Sequence, residues 1–450
     1  MQISAYEILK SSGSAWLGDI PTHWGIKKLK FLATVQPSNV DKKTVEGEEP
    51  VILCNYTDVY KNEYIDGRLE FMQASATEAE IKQFKVDIGD VIVTKDSETP
   101  NDIAVPAYIA EQVEGLVCGY HLTQIKPINL HGQYLFRLFQ SRGFNAQFVV
   151  SANGVTRFGL PQHVIANAFT PIPPLAEQQT IARFLDFKTT QIDTLIAKKK
   201  ALIEKLAEKR TSLISHAVTK GLDPSVPMKD SGVVWLGDIP AHWKVIRIKH
   251  ITPVKRGASP RPIDDPKYFD DDGEFAWVRI ADVSASNRYL LNTTQRLSDL
   301  GSSLSLKRYP GDLFLSIAGT VGKPIITNIK CCIHDGFVYF PELNESNEFF
   351  YYLFACGQPY LGLGKMGTQL NLNTDTVGSI LIGLPSKLEQ QEIVEFLDNR
   401  TAQLNDQAAR INCVIDRLNE YRSALITNAV TGKIDVRGVA MPQLTEGFSL

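Results

Sequence analysis

The sequence predicts an α+β fold: two α/β domains separated by two long helices that pair as an antiparallel coiled coil, arranged as an internal repeat with pseudo-twofold symmetry. Three observations predict it. The nonapeptide WLGDIPTHW at residues 16–24 returns as WLGDIPAHW at 235–243, identical at eight of nine positions. EQQTIARFLD from Glu177 and RTSLISHAVT from Arg210 return in the same order as EQQEIVEFLD from Glu389 and RSALITNAVT from Arg422. These two recur after 212 residues and the nonapeptide after 219, so the intervening segment differs in length by seven. Each copy keeps its ends and lets its interior diverge, the reverse of a duplicated active site.

Each element follows from local signals. A basic strand succeeds each nonapeptide, with Lys27, Lys28 and Lys30 in one copy and Arg247, Lys249, Lys255 and Arg256 in the other. Inside the domains only skeletal matches survive. Asp58-Val59 and Asp282-Val283 close the apolar runs VILCNYTDV and FAWVRIADV, while Gly89-Asp90 and Gly311-Asp312 open the β-like stretches VIVT and LFLS. The period is far beyond the roughly 20 to 50 residues of a solenoid repeat. Two domains on long connectors fit better.

From Glu177 to His216 there is no glycine or proline, and apolar residues fall at helical spacing. Leu185, Ile192, Leu206 and Leu213 share one heptad position, interrupted by Lys199, and Ile181, Leu195 and Leu202 are expected at the other. In the second copy Leu397, Leu404, Ile411, Leu418 and Leu425 form an unbroken series, flanked by Ile393, Val414 and Tyr421. Such a seam must bury itself against another helix, and the obvious partner of each is the other. Forty helical residues make a rod of about 60 Å. A chain running helix, domain, helix returns most simply if the rods are antiparallel. Glycine stops follow at Gly221 and Gly432, and LDPSVPMKDSG links to the second copy. The expected divisions are 1–174 and 221–386 for the two α/β domains, 175–220 and 387–436 for the helical regions, and 437–450 for a tail.

Composition narrows the function. With 44% apolar and 22% charged residues, the 450-residue chain is globular. It holds no run near the roughly 18 apolar residues of a membrane span, and MQISAYEILKSS lacks the order of a signal peptide, so a cytoplasmic protein is expected. Its net charge of −3 is low for a simple nucleic-acid binder, although basic residues cluster at matching places in both copies. The six cysteines show no CxxC spacing and read as structural thiols, with no metal expected. Gly319 to Pro324 has the wrong spacing for a phosphate loop, and there is no strand-linked GxGxxG, HExxH or GxSxG. Nor is there an Asn-Pro-Pro-aromatic or Asp-Pro-Pro-aromatic tetrapeptide of the amino-methyltransferase kind. No catalytic residue is expected in this chain, and His23 and His242, beside Trp24 and Trp243, read as structural.

Together these blocks resemble one family, the DNA specificity subunit of type I restriction-modification systems. The resemblance rests on WLGDIPxHW with its basic strand, on GDVIVT and GDLFLS, on PIPPLAEQQTIARFLD and LPSKLEQQEIVEFLD leading into long helices, and on the endings AVTKG and AVTGK. It covers nearly the whole chain in the family's order. It implies two target-recognition domains, each reading one half of a bipartite site in double-stranded DNA, alternating with helices that dock two methyltransferase subunits. Those subunits would carry the S-adenosylmethionine and the catalytic motifs, so no cofactor is expected here, and restriction (motor and nuclease) subunits would join them. Base reading needs bidentate donors and acceptors in the major groove, and polar loops after core strands are where to look. The candidates are Lys95, Asp96, Ser97, Asn153, Thr156 and Arg157 in the first domain, and Arg279, Thr320, Lys323, Gly367, Thr368 and Gln369 in the second. The family's Gly-Thr-Gln-Leu-Asn loop is intact at 367–371 but reads GVTRF at 154–158. Two other readings share the same periodicities: a non-catalytic coiled-coil adaptor without DNA affinity, and a target-recognition subunit of a related defence system.

Overall fold

The two copies of the nonapeptide fold into the same hairpin. Leu9–Ser11 pairs antiparallel with Asp19–Pro21 in the first, and Met228–Asp230 with Asp238–Pro240 in the second. Gly18 and Gly237 stand at φ +63° and +57°, a left-handed conformation that any Cβ disfavours. The basic strand after each block, Gly25–Lys28 or Lys244–Arg247, pairs with the strand just before the next long helix, Phe169–Ile172 or Leu381–Leu384. The conserved ends of each domain therefore lie side by side and form one frame.

The structure, a computed structural model, describes residues 4–361 and 372–440. Packing divides the chain into a first unit, Met1–Lys199 with Cys413–Leu450, and a second, Lys200–Asn412. The core strands of the first are β1 (Ala33–Pro37), β2 (Glu49–Cys54), β3 (Tyr64–Ile65), β4 (Met72–Ala76), β5 (Val91–Thr94), β6 (Pro106–Ile109), β7 (Leu116–Cys118) and β8 (Leu122–Pro127). They form a five-stranded sheet in the order β1-β8-β5-β6-β3 and a three-stranded sheet, β7-β2-β4. In the second unit the strands are β9 (Lys255–Arg256), β10 (Phe275–Val278), β11 (Tyr289–Leu290), β12 (Gln295–Leu297), β13 (Leu306–Arg308), β14 (Leu313–Ser316), β15 (Pro324–Thr327), β16 (Cys331–Ile333) and β17 (Phe337–Tyr339). Their sheets run β9-β17-β14-β15-β11 and β12-β10-β16-β13. The five-stranded orders correspond strand for strand, down to a parallel pair at one edge (β6 with β3, β15 with β11). In the smaller sheets the parallel pair β7 with β2 is matched by β16 with β10. One topology is thus built twice from dissimilar interiors.

The skeletal matches turn out to be turn devices. Every residue of VIVT in β5 and LFLS in β14 is buried, as a central strand covered on both faces requires. The preceding Gly89 and Gly311 adopt φ +94° and +97°. The next aspartate then folds back: Asp90 accepts from the Asp87 N–H at 3.1 Å and Asp312 from that of Tyr309 at 3.0 Å. Asp58 and Asp282 cap the short helices Tyr56–Lys61 and Ile280–Ala285, accepting from the N–H of Asn55 at 2.8 Å and Arg279 at 2.9 Å.

The long helices are α1, Leu175–Lys220, and α2, Lys387–Val430, of 46 and 44 residues. Each contributes one half to each unit. In the first unit Asp193 of α1 meets Arg422 of α2, and Gly432, just beyond the end of α2, lies against Pro21 and Trp24. In the second, Gly221 at the end of α1 lies beside Glu389 at the start of α2. Within each unit the paired segments therefore run antiparallel. Leu185, Ile192, Leu397, Leu404 and Leu425 are buried, while Leu206, Leu213, Ile411 and Leu418 are half-buried.

The second seam position departs from expectation beyond its first residues, Ile181 and Ile393, which are buried. Leu195 and Leu202 are 41% and 42% exposed, and Val414 and Tyr421 are 40% and 53% exposed. The inward residues are instead Thr189, Ile196, Ile203, Arg210 and Ala217 on α1, four residues after Leu185, Ile192, Lys199, Leu206 and Leu213 where the expected spacing is three. On α2 they are Thr401, Ala408, Ile415, Arg422 and Ala429. Both spacings put an apolar residue on an α-helix near the same stripe, and the partner decides which is covered. Of the cysteines, Cys54, Cys118, Cys331, Cys332 and Cys356 are buried and Cys413 is exposed.

Candidate nucleic-acid interface

The frame is locked by one carboxylate per unit. Glu177, at the start of α1, accepts from Trp24 Nε1 at 3.0 Å and the Tyr6 hydroxyl at 2.5 Å, and meets His23 Nε2 at 2.8 Å. Glu389, at the start of α2, accepts from Trp243 Nε1 at 2.9 Å and meets His242 Nε2 at 3.0 Å. Burial and the neighbouring Glu177 push the Tyr6 phenol far above its usual range, so it stays a donor. A lysine at the far end of the other helix completes each lock. Lys433 donates to the Asp19 carbonyl at 2.5 Å, and Lys220 to the Leu236 carbonyl at 3.0 Å. The repeated His-Trp, Glu-Gln-Gln and Lys/Gly signatures are thus one structural joint, distinct from the divergent residues of each domain.

In the first unit those residues gather at one end of the five-stranded sheet, where β5 ends and β8 begins. Lys95 donates to the Ser38 carbonyl at 2.9 Å with its ammonium 4.6 Å from the Tyr120 ring, and burial lowers its pKa. Asp96 accepts from Arg157 Nη2 at 2.9 Å and meets His121 Nδ1 at 2.7 Å. Backbone pairing of Ser97 with Phe158 and of Asn153 with Gly159 pins the 153–159 segment there. Thus Lys95, Asp96, Ser97, Asn153, Thr156 and Arg157 come together, although about 60 residues separate the two groups. Beside them Tyr56 and Tyr60 stack at 5.5 Å, and with Ser97, Thr156 and Arg157 they line an open cavity of about 440 Å³. The two tyrosines, Tyr120 and His121 are missing from the sequence reading. His121 follows a core strand as the expected loops do, but its φ of +76° has no signature in the chain.

In the second unit the candidates separate. Thr320 shares a hydroxyl hydrogen bond of 2.5 Å with Ser284, and Lys323 donates to the carbonyls of Ser284 at 3.0 Å and Ser286 at 2.7 Å. Burial lowers the Lys323 pKa. Arg279 precedes the same short helix but directs its guanidinium to Gln295. Gly367, Thr368 and Gln369 lie outside the described residues. At the sheet end equivalent to that of the first unit, the turn 334–336 leads into β17 as 119–121 leads into β8. There Asp335 accepts from Arg261 Nη2 at 2.9 Å and Ser259 Oγ at 3.3 Å, while Arg256 donates to its carbonyl. Both units therefore present, at the same end of the five-stranded sheet though from different segments, an arginine backed by a carboxylate. The Arg157 and Arg261 side chains are 57% and 69% exposed, open to a partner. A guanidinium held in plane with free donors suits guanine, whose O6 and N7 accept in parallel. Among the described residues no group of His, Cys, Asp and Glu is placed to hold a metal, and no helix is long and apolar enough to cross a membrane.

Comparison with known proteins gives a consistent result. The family model described as the type I restriction modification DNA specificity domain matches twice, over residues 21–205 and 240–415. A putative type I restriction enzyme MjaX specificity subunit from Methanocaldococcus jannaschii is 22% identical over 434 residues, covering 94% of this chain and 96% of that protein. The type I restriction enzyme EcoBI specificity subunit of Escherichia coli is 24% identical over 326 residues, 68% of this chain and 67% of its own. Among solved structures, a chain from work on complex assembly and conformational transition of the type I R-M system aligns with a TM-score of 0.71 at 16% identity, covering 91% of this chain and 98% of that one. The HsdS subunit from Thermoanaerobacter tengcongensis aligns with a TM-score of 0.53, also at 16% identity, covering 92% of this chain and 98% of that one.

Proposed function

Since this chain belongs to the family of type I restriction-modification DNA specificity subunits and carries two target-recognition domains, we propose that each domain reads one half of a bipartite duplex site with the strand-end loops of its five-stranded sheet. The observation that carries this reading is where divergence falls. The frame joints repeat almost atom for atom, whereas the sheet ends carry different side chains around a shared arginine and carboxylate. In this reading Arg157 and Arg261 each read a guanine, and Lys95, Thr156, Arg279 and Thr320 contact the duplex around them.

The chain itself is non-catalytic. Two methyltransferase subunits dock on the α1–α2 pair and bring S-adenosylmethionine and the transfer chemistry, restriction subunits add to that assembly, and the complex works in the cytoplasm. Because both helices pass from one unit to the other, they set the number of unread base pairs. A net charge of −3 is compatible with this role, since a subunit that contacts part of the duplex need not neutralise many phosphates.

The test is a mobility shift and a methylation assay, each with the chain alone and with its methyltransferase subunits. Bipartite binding and methylation should require the assembled complex. Methyl transfer by the lone chain would overturn the non-catalytic role, and an assembled complex with no sequence-specific DNA affinity would favour a protein adaptor.

A further inference from the structure

The two units differ at the place where each domain meets the long helices. In the first, Arg137 is only 1% exposed, and its guanidinium donates to Asp186 at 2.8 Å, Glu63 at 3.2 Å, the Tyr64 hydroxyl at 2.8 Å and Thr189 Oγ1 at 3.0 Å. Arg422 donates to Glu63 at 2.6 Å and Asp193 at 2.9 Å. Two guanidiniums thus face three carboxylates, and each makes charge-assisted hydrogen bonds.

The helix repeat maps this cluster onto the second unit. Asp186 becomes Asp398, Thr189 becomes Thr401, Arg422 becomes Arg210, and Asp193 becomes Asn405. Glu63, which precedes edge strand β3, becomes Arg288, which precedes edge strand β11. Tyr352 takes the place of Arg137, donating to Asp398 at 2.5 Å and lying 3.4 Å from Thr401 Oγ1. Two of the three carboxylates are gone, and one has been replaced by a cation. Arg288 donates to Asp398, and Arg210 shares a cavity with this second guanidinium where Arg422 pairs with Glu63.

Space has opened at the same point. Arg210, Arg288, Lys323, Tyr351, Asp398 and Asn405 line a cavity of about 900 Å³. Asp398 is the only carboxylate among the described lining residues, against three cations. Arg210 Nε and both Nε and Nη2 of Arg288 are buried with no hydrogen-bond partner among the described residues. The Arg288 guanidinium is sandwiched by rings, 4.9 Å from Tyr289, 5.3 Å from Tyr351 and 5.1 Å from Tyr352. These faces favour the cation but accept none of its hydrogen bonds in plane. Buried donors left unpaired are costly, and like charges sharing a cavity add to that cost.

We propose that this cavity is an oxyanion site that takes a phosphate group from solution between Arg210 and Arg288. The bound anion does for the second unit what the carboxylates of Glu63 and Asp193 do for the first. It pairs the helix arginine and ties the domain to its helix segments. The cavity is larger than a lone phosphate needs, so a phosphomonoester also fits.

Titration calorimetry on the full chain, at constant ionic strength in chloride, tests this with inorganic phosphate and, as a second arm, a nucleoside monophosphate. Wild type should bind phosphate at one site and melt at a higher temperature in its presence. Arg288→Glu gives Arg210 the partner that Arg422 has, and Asn405→Asp restores the second carboxylate. Both variants should fold without phosphate, bind it at least tenfold more weakly and lose the melting shift. Tighter binding of the monophosphate than of phosphate would assign the site to an ester, and the reverse to the free anion. No saturable binding of either ligand to wild type, or unchanged binding in both variants, would overturn the site.

Discussion

Arginine reads guanine through two parallel donors, and a carboxylate behind the guanidinium holds that fork in plane. Asp96 accepts one hydrogen bond from Arg157 Nη2, and Asp335 one from Arg261 Nη2. Arg157→Ala in the assembled complex should relax the base requirement at one position of one half-site, at about 1–3 kcal/mol, and Arg261→Ala at one position of the other. Binding to a panel of single-base site variants measures it; a uniform loss over all sequences would make either arginine a phosphate contact. The joints follow a similar logic. Glu177 is 5% exposed with three partners and Glu389 is 22% exposed with two. Removing the charge by Glu177→Gln should cost about 1–3 kcal/mol, and Glu389→Gln less, in urea unfolding of the two variants. At this scale the sequence was partly legible. The segments around Lys95 and Arg157 stand out as polar loops after core strands, but their union depends on a strand pairing across some 60 residues. Arg261 lies beside an aspartate-rich stretch, and only the fold carries it to Asp335.

The long helices were legible as elements because apolar residues recurring by sevens, with no glycine or proline between them, have few alternatives. Their facing was only half legible. The first seam position, from Leu185 and Leu397 onward, is set by leucines and isoleucines, with Lys199 the one exception. The second is filled by Thr189, Ile196, Ile203, Arg210 and Ala217, a mixture that hydrophobicity does not single out from Leu195 and Leu202 beside it. Ile196→Ala, at 8% exposure, should lower stability by about 2–4 kcal/mol, whereas Leu195→Ala should cost under about 0.5 kcal/mol. Equal costs in urea unfolding would mean that Leu195 is covered. The Gly-Asp and Asp-Val pairs were visible as matches, yet their meaning, a left-handed turn and a helix cap, needed backbone angles.

For the molecule as a whole, the repeat gave the order of the parts but not the way each unit borrows from both helices. If the helices fix the unread spacer, inserting four residues near Lys198 to Lys200 adds about 6 Å to α1, against about 3.4 Å per base pair. Methylome sequencing should then find both half-sequences intact and the spacer longer by one or two base pairs; an unchanged spacer in an assembled complex would make the helices docking surfaces only. The borrowing has a further consequence. Ser4 forms a bridge with Asp435, Val436 is fully buried, and Lys433 holds the first hairpin, whereas the second unit is one uninterrupted stretch, Lys200–Asn412. Domains generally mature in the order in which the ribosome makes them, but here the first unit is completed only by residues made after the whole of the second. The expected order is that the second unit closes before the first, which needs residues beyond 430 for its opening hairpin. Limited proteolysis of arrested nascent chains should find the later-made half protected first, and a last segment withheld by early termination should leave the opening residues of the protein unprotected.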